Sequence, residues 1–486
     1  MDIKSNNENY TSILGLNKDQ YAAYKELIAF IDAPYDIKDY KRALIGAAGT
    51  GKTYLLEKII RNCKYSFSVI GLAAPTHKAV RVLSDSIRNV LSVHTLQSDL
   101  GLRLNFDVDK FDINNPPFDP KGKVKIKNYR LYIIDEASMI NRDLCMFLEK
   151  ICKENQCKII YVGDNSQLSP VGESYSPCFR GVKSFKLNTI VRQEDDNSAK
   201  KLLSILREDI KNKTFNFLNY ITRNTEEWDD ANTKGYKVCN DEEFNKLVIV
   251  NFSDEQIVNN VDFAKIIAYT NNKVSYWNKY VRNIIISQSE KAIINKNDLI
   301  ISYTTLVNDF NEAILKNSEE YIIDDIVNYV HPKYKLKGFM VKFIAIHGGK
   351  VTSPLFVIDH SDMQTINLYA KTSNDLIDIA KHANHSSRAA RWRDYYAFKE
   401  ECLLLSNIIK KDGTILFSRD LDYGFAITSH KSQGSTFDTA LVDVDDIVFD
   451  KYGRPYTDIE EMHRRLYVAC SRCRNKLYLK YTYNGK

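Results

Sequence analysis

Gly46-Ala-Ala-Gly-Thr-Gly-Lys-Thr53 fits the pattern G-x-x-x-x-G-K-[S/T] in full. It follows a short apolar run, Ala43-Leu44-Ile45, and opens a helix-like segment from Tyr54 to Ile60. A strand–loop–helix of this kind points backbone N–H groups at phosphate oxygens, and the helix N-terminus adds a favourable dipole. Gly46, Gly49 and Gly51 let the backbone curl, with Ala47, Ala48 and Thr50 completing the cradle. Lys52 reaches the terminal phosphates and the Thr53 hydroxyl ligates Mg²⁺. The loop predicts a bound nucleoside triphosphate. It does not say what the energy is used for.

Other apolar runs also end in small or polar residues. They are Ser68–Ala74 before Pro75, Leu131–Ile134 before Asp135-Glu136, and Lys158–Val162 before Gly163-Asp164. Such runs read as strands buried on both faces. Helix-like segments lie between them, Lys78–Val90 and Asn141–Cys152 among them. The alternation predicts an α/β fold with a parallel sheet and its chemistry at the carboxyl ends of the strands. Asp135 and Glu136 sit at such an end. Adjacent carboxylates there can divide two tasks, Asp135 in the metal shell and Glu136 as general base toward water.

The 486 residues are too many for one core, so two to four domains are expected. A net charge of +6 is mild and leaves a polyanion-binding groove open. No apolar run reaches the length of a membrane span, and the first residues lack an apolar signal core, so secretion is not expected. Nine cysteines spread along the chain argue for a reducing, cytoplasmic compartment. Cys470-x-x-Cys473 has no second pair at zinc spacing and reads as two structural thiols.

The strand pattern returns at Phe263–Tyr269, Phe425–Thr428, Thr439–Val444 and Lys476–Thr482, which predicts a second α/β domain. Between its parts, residues 320–370 alternate apolar and polar, as in Gly338–Ile346, Leu355–Ile358 and Thr365–Tyr369, and predict a small antiparallel module. Helical pattern follows at Asn374–Ala383 and Ala389–Ile409. Lys121, Lys123, Lys125 and Lys127 alternate and would share one face of a strand. Two readings stand for that run, a protected sheet edge and a phosphate-backbone contact.

In this order the motifs resemble superfamily 1B DNA helicases, with the Dda-like phage enzymes closest and RecD-like and Pif1-like enzymes more distant. The likeness runs from Gln20 to Arg472. It implies two RecA-like motor domains. Domain 1A takes residues 1–96 and 129–200, and 2A takes 201–285 and 412–486. A hairpin wedge, 1B, takes 97–128, with Phe106, Phe111 and Phe118 as stacking candidates or plain core packing. An insertion, 2B, takes 286–411 and combines an SH3-like β module with a helical tower containing Arg391–Phe398.

Residue by residue, Gln20 resembles the adenine reader, although Asn17-x-x-Gln20 is also a capping box. Pro75, Thr76, His77 and Lys78, then His94 and Thr95, resemble two motifs that meet single-stranded DNA. Gln167 matches the γ-phosphate sensor, Ser169 standing where the family has a second proline. Arg192 and Arg472 match arginines that stabilise transition-state charge. Gln433 and Gly434 would face the nucleotide, and Thr428, His430 and Lys431 the DNA. The resemblance further implies ATP and Mg²⁺ and a monomeric motor moving 5′ to 3′ one nucleotide per ATP. Its expected partners are single-stranded and fork DNA, with single-strand-binding or replication proteins. Its setting would be DNA replication, recombination or repair, in the host cytoplasm for a viral member. Two other readings are a RecD-like translocase subunit of a nuclease complex and a nucleotide-gated nucleic-acid-binding ATPase that does not unwind.

Overall fold

The computed structural model describes residues 15–482 except 48, 88–89, 103–112, 114–122, 171–172, 174, 190–196, 255–259, 286–291, 309–311 and 410–413. Two compact units divide the chain. One comprises Met1–Leu247, Asp262–Lys273 and Thr428–Lys486, the other Val248–Val261 and Val274–Ile427.

The first unit begins with helix α1 (Lys18–Asp32) and strand β1 (Lys41–Gly46). There follow α2 (Lys52–Asn62), β2 (Ile70–Ala74), α3 (His77–Ser86) and β3 (Val93–Thr95). Then come β4 (Leu131–Ile134), α4 (Arg142–Glu154), β5 (Lys158–Gly163) and β6 (Ser184–Leu187). The six strands form a parallel sheet in the order β3-β2-β4-β5-β1-β6. Residues of β2, β4 and β5 are buried throughout, as their apolar runs predict.

Alternate residues serve two cores. Ala43, Ile45, Tyr132, Ile134, Ile159 and Tyr161 pack with Leu144, Leu148 and Ile151 of α4. Leu44, Leu131, Ile133, Ile160 and Val162 pack with Leu27, Leu55, Ile59 and Leu83 of α1, α2 and α3. Lys158 is buried among them. Its ammonium donates to the carbonyls of Phe30, Ile31 and Ala33, closing the exposed end of α1.

A second sheet of the same unit sets Ala264–Ala268, Phe437–Asp443, Cys473–Lys480 and Gly235–Cys239 side by side in parallel, with Glu226–Trp228 antiparallel beyond. Both sheets are of the RecA-like kind.

The other unit carries a five-stranded antiparallel sheet, in the order Leu355–Ile358, Lys337–Ala345, Glu320–Val330, Leu299–Ser302, Leu421–Tyr423. Helices Met363–His382 and His385–Glu401 share a core with it through Phe356, Tyr369, Phe398 and Phe417.

Three sequence expectations change. Thr365–Tyr369 is helical, not a strand: Asp362 caps the helix by accepting from the Gln364 N–H, and Thr365, Tyr369 and Ser373 bury one face at a spacing of one turn. The helix expected to run to Ile409 ends at Glu401, and Ile408–Ile409 pairs with Ile415–Phe417. Lys125–Asn128 is a 3₁₀ turn around the buried Ile126, so Lys125 and Lys127 share no strand face. Lys121 and the three wedge phenylalanines lie outside the described residues.

Candidate nucleotide site and motor core

The phosphate loop joins β1 to α2. Gly49 and Gly51 hold φ of 81° and 75°, the left-handed region that glycine enters without strain. At Gly46 an added Cβ would meet Thr50 Oγ1 at 2.5 Å, so only glycine lets the loop close. Thr50 Oγ1 in turn donates to the Ala47 carbonyl at 2.9 Å. Lys52 Nζ donates to the carbonyls of Gly46 at 2.7 Å and Ala47 at 3.1 Å, which keeps the ammonium against its own loop. Thr53 follows in the first turn of α2. Ala48 lies outside the described residues.

Gln20 takes part in two structures at once. It completes the capping box of α1, where Gln20 Oε1 accepts from Asn17 N at 3.0 Å and Asn17 Oδ1 from Gln20 N at 2.9 Å. Its Nε2 donates to the Thr50 carbonyl at 3.0 Å. The side chain is buried, with both amide atoms engaged by backbone.

β4 delivers Asp135 and Glu136 to the same end of the sheet. Asp135 Oδ1 accepts from the Glu136 N–H at 2.9 Å. Burial raises the Asp135 carboxyl above its ordinary value, opposed by the charge of Lys52. Glu136 is pushed up to about 7, by burial first and then by Asp135, with Lys52 and Arg472 pulling it down. That range suits a general base at neutral pH. Glu136 also has φ 52° and ψ 37°, a left-handed conformation that costs a non-glycine residue about 1–3 kcal/mol.

β5 ends at Gly163, and Asp164 follows, buried to 2% exposure. Gln167 is also buried, and its Oε1 has no hydrogen-bond partner. Ser138 Oγ and Ser435 Oγ are buried polar atoms in the same condition.

Arg472 comes from the far end of the sequence, just after the helix Ile459–Cys470. Its guanidinium is buried. Nη1 donates to the Ser435 carbonyl at 3.1 Å, Nε to the Val468 carbonyl at 3.0 Å, and Nη2 to Ser471 Oγ at 2.7 Å. Burial works against its charge, while Glu136, Tyr467 and Asp164 favour it. Gln433 Nε2 reaches the Leu168 carbonyl at 3.4 Å, and Gly434, at φ 71°, lies against Ala79 of α3. Arg192 is outside the described residues.

The donor set fits a Mg²⁺-bound nucleoside triphosphate. It offers a glycine-closed cradle with a lysine, a hydroxyl beside it, two carboxylates at a strand end, a buried arginine, and orphaned polar atoms on Gln167, Ser138 and Ser435.

Two family models match the chain, an AAA domain over residues 15–223 and a UvrD-like helicase C-terminal domain over 423–480. The two matches hold the phosphate loop and Arg472 respectively. An AAA domain followed by a UvrD-like helicase C-terminal domain marks the chain as a helicase. An uncharacterized protein of Acanthamoeba polyphaga mimivirus is 25% identical, covering 89% of this chain and 94% of that protein. The RecBCD enzyme subunit RecD of Buchnera aphidicola subsp. Schizaphis graminum is 30% identical over 200 residues, 36% of this chain and 29% of that subunit. In fold, the Pif1 helicase from Candida albicans matches at a TM-score of 0.50 and 18% identity, covering 96% of this chain and 94% of that one. Special closeness to Dda-like enzymes finds no separate support.

In this helicase, three residues to which the sequence reading gives no role join the two sheets. Tyr467 OH donates to Asp164 Oδ2 at 2.8 Å. Arg464 donates through Nη1 to the carbonyls of Asn165 and of Gln167, the latter at 2.9 Å, and through Nη2 to Glu460 at 2.9 Å. Asp164 could have been found, because it follows a buried strand just as Asp135 does. Tyr467 and Arg464 carry no such signal.

The residues expected at nucleic acid are placed unevenly. His77, His94, Thr428, His430 and Lys431 are half-buried. Lys78 is 6% exposed, its ammonium 5.2 Å from the centre of the Phe437 ring. Thr76 and Thr95 spend their hydroxyls as helix caps, accepting from Ala79 N and Ser98 N. Pro75 accepts from Gln97 Nε2 at 3.3 Å. Burial lowers the His430 imidazole, as does the charge of Arg465, whose guanidinium sits 3.6 Å from the Tyr269 ring centre. A cavity of about 870 Å³ opens there, with Ser169, Tyr269, His430 and Arg464 in its wall.

Proposed function

We propose that this helicase hydrolyses ATP to translocate 5′ to 3′ along single-stranded DNA and to unwind duplex DNA, in replication, recombination or repair. The observation that carries the reading is the burial of Arg472 within electrostatic reach of Glu136 and Asp164, which joins chemistry from both ends of the chain. Bound ATP with Mg²⁺ supplies the phosphoanhydride bond. The loop N–H groups and Lys52 hold its phosphates, and Thr53 and Asp135 hold the metal. Glu136 takes a proton from the attacking water, Gln167 senses the terminal phosphate, and Arg192 and Arg472 counter the spreading charge. Gln20 meets the base, with Gln433 and Gly434 at the nucleotide. Pro75 to Lys78, His94, Thr95, Thr428, His430 and Lys431 form the path of the strand.

The division into 1A, 1B, 2A and 2B at the boundaries given above belongs to the same reading. So do a monomeric motor, fork DNA as substrate and a reducing compartment. The cysteines support the last of these: none of the nine is joined in a disulfide. Among the described residues, no helix is long and apolar enough to cross a membrane.

The test is unwinding of forked DNA with a tail on one strand only. Unwinding from a 5′ tail supports the proposal, and unwinding from a 3′ tail alone overturns the direction. The RecD identity favours a second reading, a translocase subunit working within a nuclease complex. Strand displacement by the isolated chain separates the two.

A further inference from the structure

The turn Leu96–Asp99 follows β3 and carries Asp99, a carboxylate with no solvent exposure. Tyr132 OH donates to Asp99 Oδ2 at 3.1 Å. The other oxygen, Oδ1, has no hydrogen bond aligned on it. It lies 3.2 Å from His94 Nδ1 and 3.7 Å from Lys125 Nζ. A buried carboxylate is costly unless cationic or donor groups face it. Besides the buried Tyr132, two such groups face it, and both reach outward. The His94 side chain is 32% exposed and that of Lys125 39%. Lys125 Nζ also meets Ser98 Oγ at 3.2 Å. The neighbouring Gln97 is buried and holds the Pro75 carbonyl. One short turn therefore backs two loops proposed to meet DNA.

We propose that Asp99 is a positioning residue for nucleic-acid binding. It draws Nδ1 of His94 inward, so that Nε2 faces a strand passing over the sheet end, and it steers Lys125 to the same place for a phosphate contact. A ring fixed on one nitrogen meets its ligand with less entropy to lose. The inference rests on the proposed DNA contact at His94.

The test is a double-mutant cycle on ATPase stimulated by oligo(dT), with Asp99→Asn, His94→Ala and the pair. The half-saturating oligo(dT) concentration is expected to rise about five- to tenfold in either single variant, with kcat within twofold. The pair should be no worse than His94→Ala alone. Multiplying effects in the pair, or an Asp99→Asn variant with unchanged half-saturation, would overturn the proposal. If His94→Ala itself binds oligo(dT) as the unmodified chain does, the contact at His94 fails and the inference goes with it. Independently of any variant's folding, ¹⁵N-histidine spectra of the unmodified helicase should show His94 protonated at Nδ1. A ring protonated only at Nε2 would also refute it.

Discussion

Tyr467 gives its hydroxyl hydrogen to Asp164 over 2.8 Å, and with that bond the helix preceding Arg472 is fastened to the strand end that precedes Gln167. Both partners are buried, so the bond is shielded from water. Asp164 and Arg472 also attract each other. One contact thus ties the segments that carry Gln167 and Arg472 to each other.

Tyr467→Phe removes only the hydroxyl and leaves the Asp164 oxygen short of a donor. The expected cost in stability is about 1–3 kcal/mol. DNA-stimulated ATPase should fall about tenfold, with ATP affinity retained. Urea melts and steady-state turnover measure both, and full turnover would show that the bond is not part of the coupling.

Lys52→Ala is expected to abolish ATPase while sparing binding to single-stranded DNA. Fluorescence anisotropy and phosphate release read these separately. Retained DNA-stimulated turnover would remove Lys52 from the site.

Glu136→Gln should slow hydrolysis about 10²–10⁴-fold without loss of nucleotide binding, the usual contribution of a general base. Glu136→Gly should be equally inactive yet melt higher, since it releases about 1 kcal/mol or more of backbone strain. A glycine variant that melts lower would show that the left-handed backbone at 136 carries no strain.

His463 has no solvent exposure, and burial holds its imidazole below the ordinary value, with Asp209 opposing. The unfolded chain therefore takes up a proton that the folded chain resists. Stability should fall as pH drops below about 6.5, with a slope of up to about 1.4 kcal/mol per pH unit from this residue. His463→Leu should flatten the decline between pH 6.5 and 5, measured by urea denaturation. An unchanged slope would assign it to other groups.

The parallel sheet was legible because strands buried on both faces leave uninterrupted apolar runs, and their ends point to Asp135 and Gly163-Asp164. The phosphate loop was legible because few backbones can bend as Gly46–Thr53 does. Thr365–Tyr369 was not, since five residues of alternating polarity suit one face of a helix as well as a strand. Only the Asp362 cap and the later Ser373 decide between them. The lysine alternation misled for a similar reason, because Ile126 alone sets the local packing. Tyr467 and Arg464 were invisible because their partners are residues of another sheet, and no local pattern encodes a bond across so many positions. Gln20 offered two readings, a cap and a nucleotide contact, and its two amide atoms join the cap to the phosphate loop.

That junction bears on how the molecule opens. Helix α1 starts at a cap whose glutamine is also bonded to Thr50, so its first turn cannot fray without freeing the phosphate loop. Amide exchange at the two places should then proceed as one event. A nucleotide that quiets the loop would also slow exchange at the start of α1, making that helix a remote reporter of occupancy.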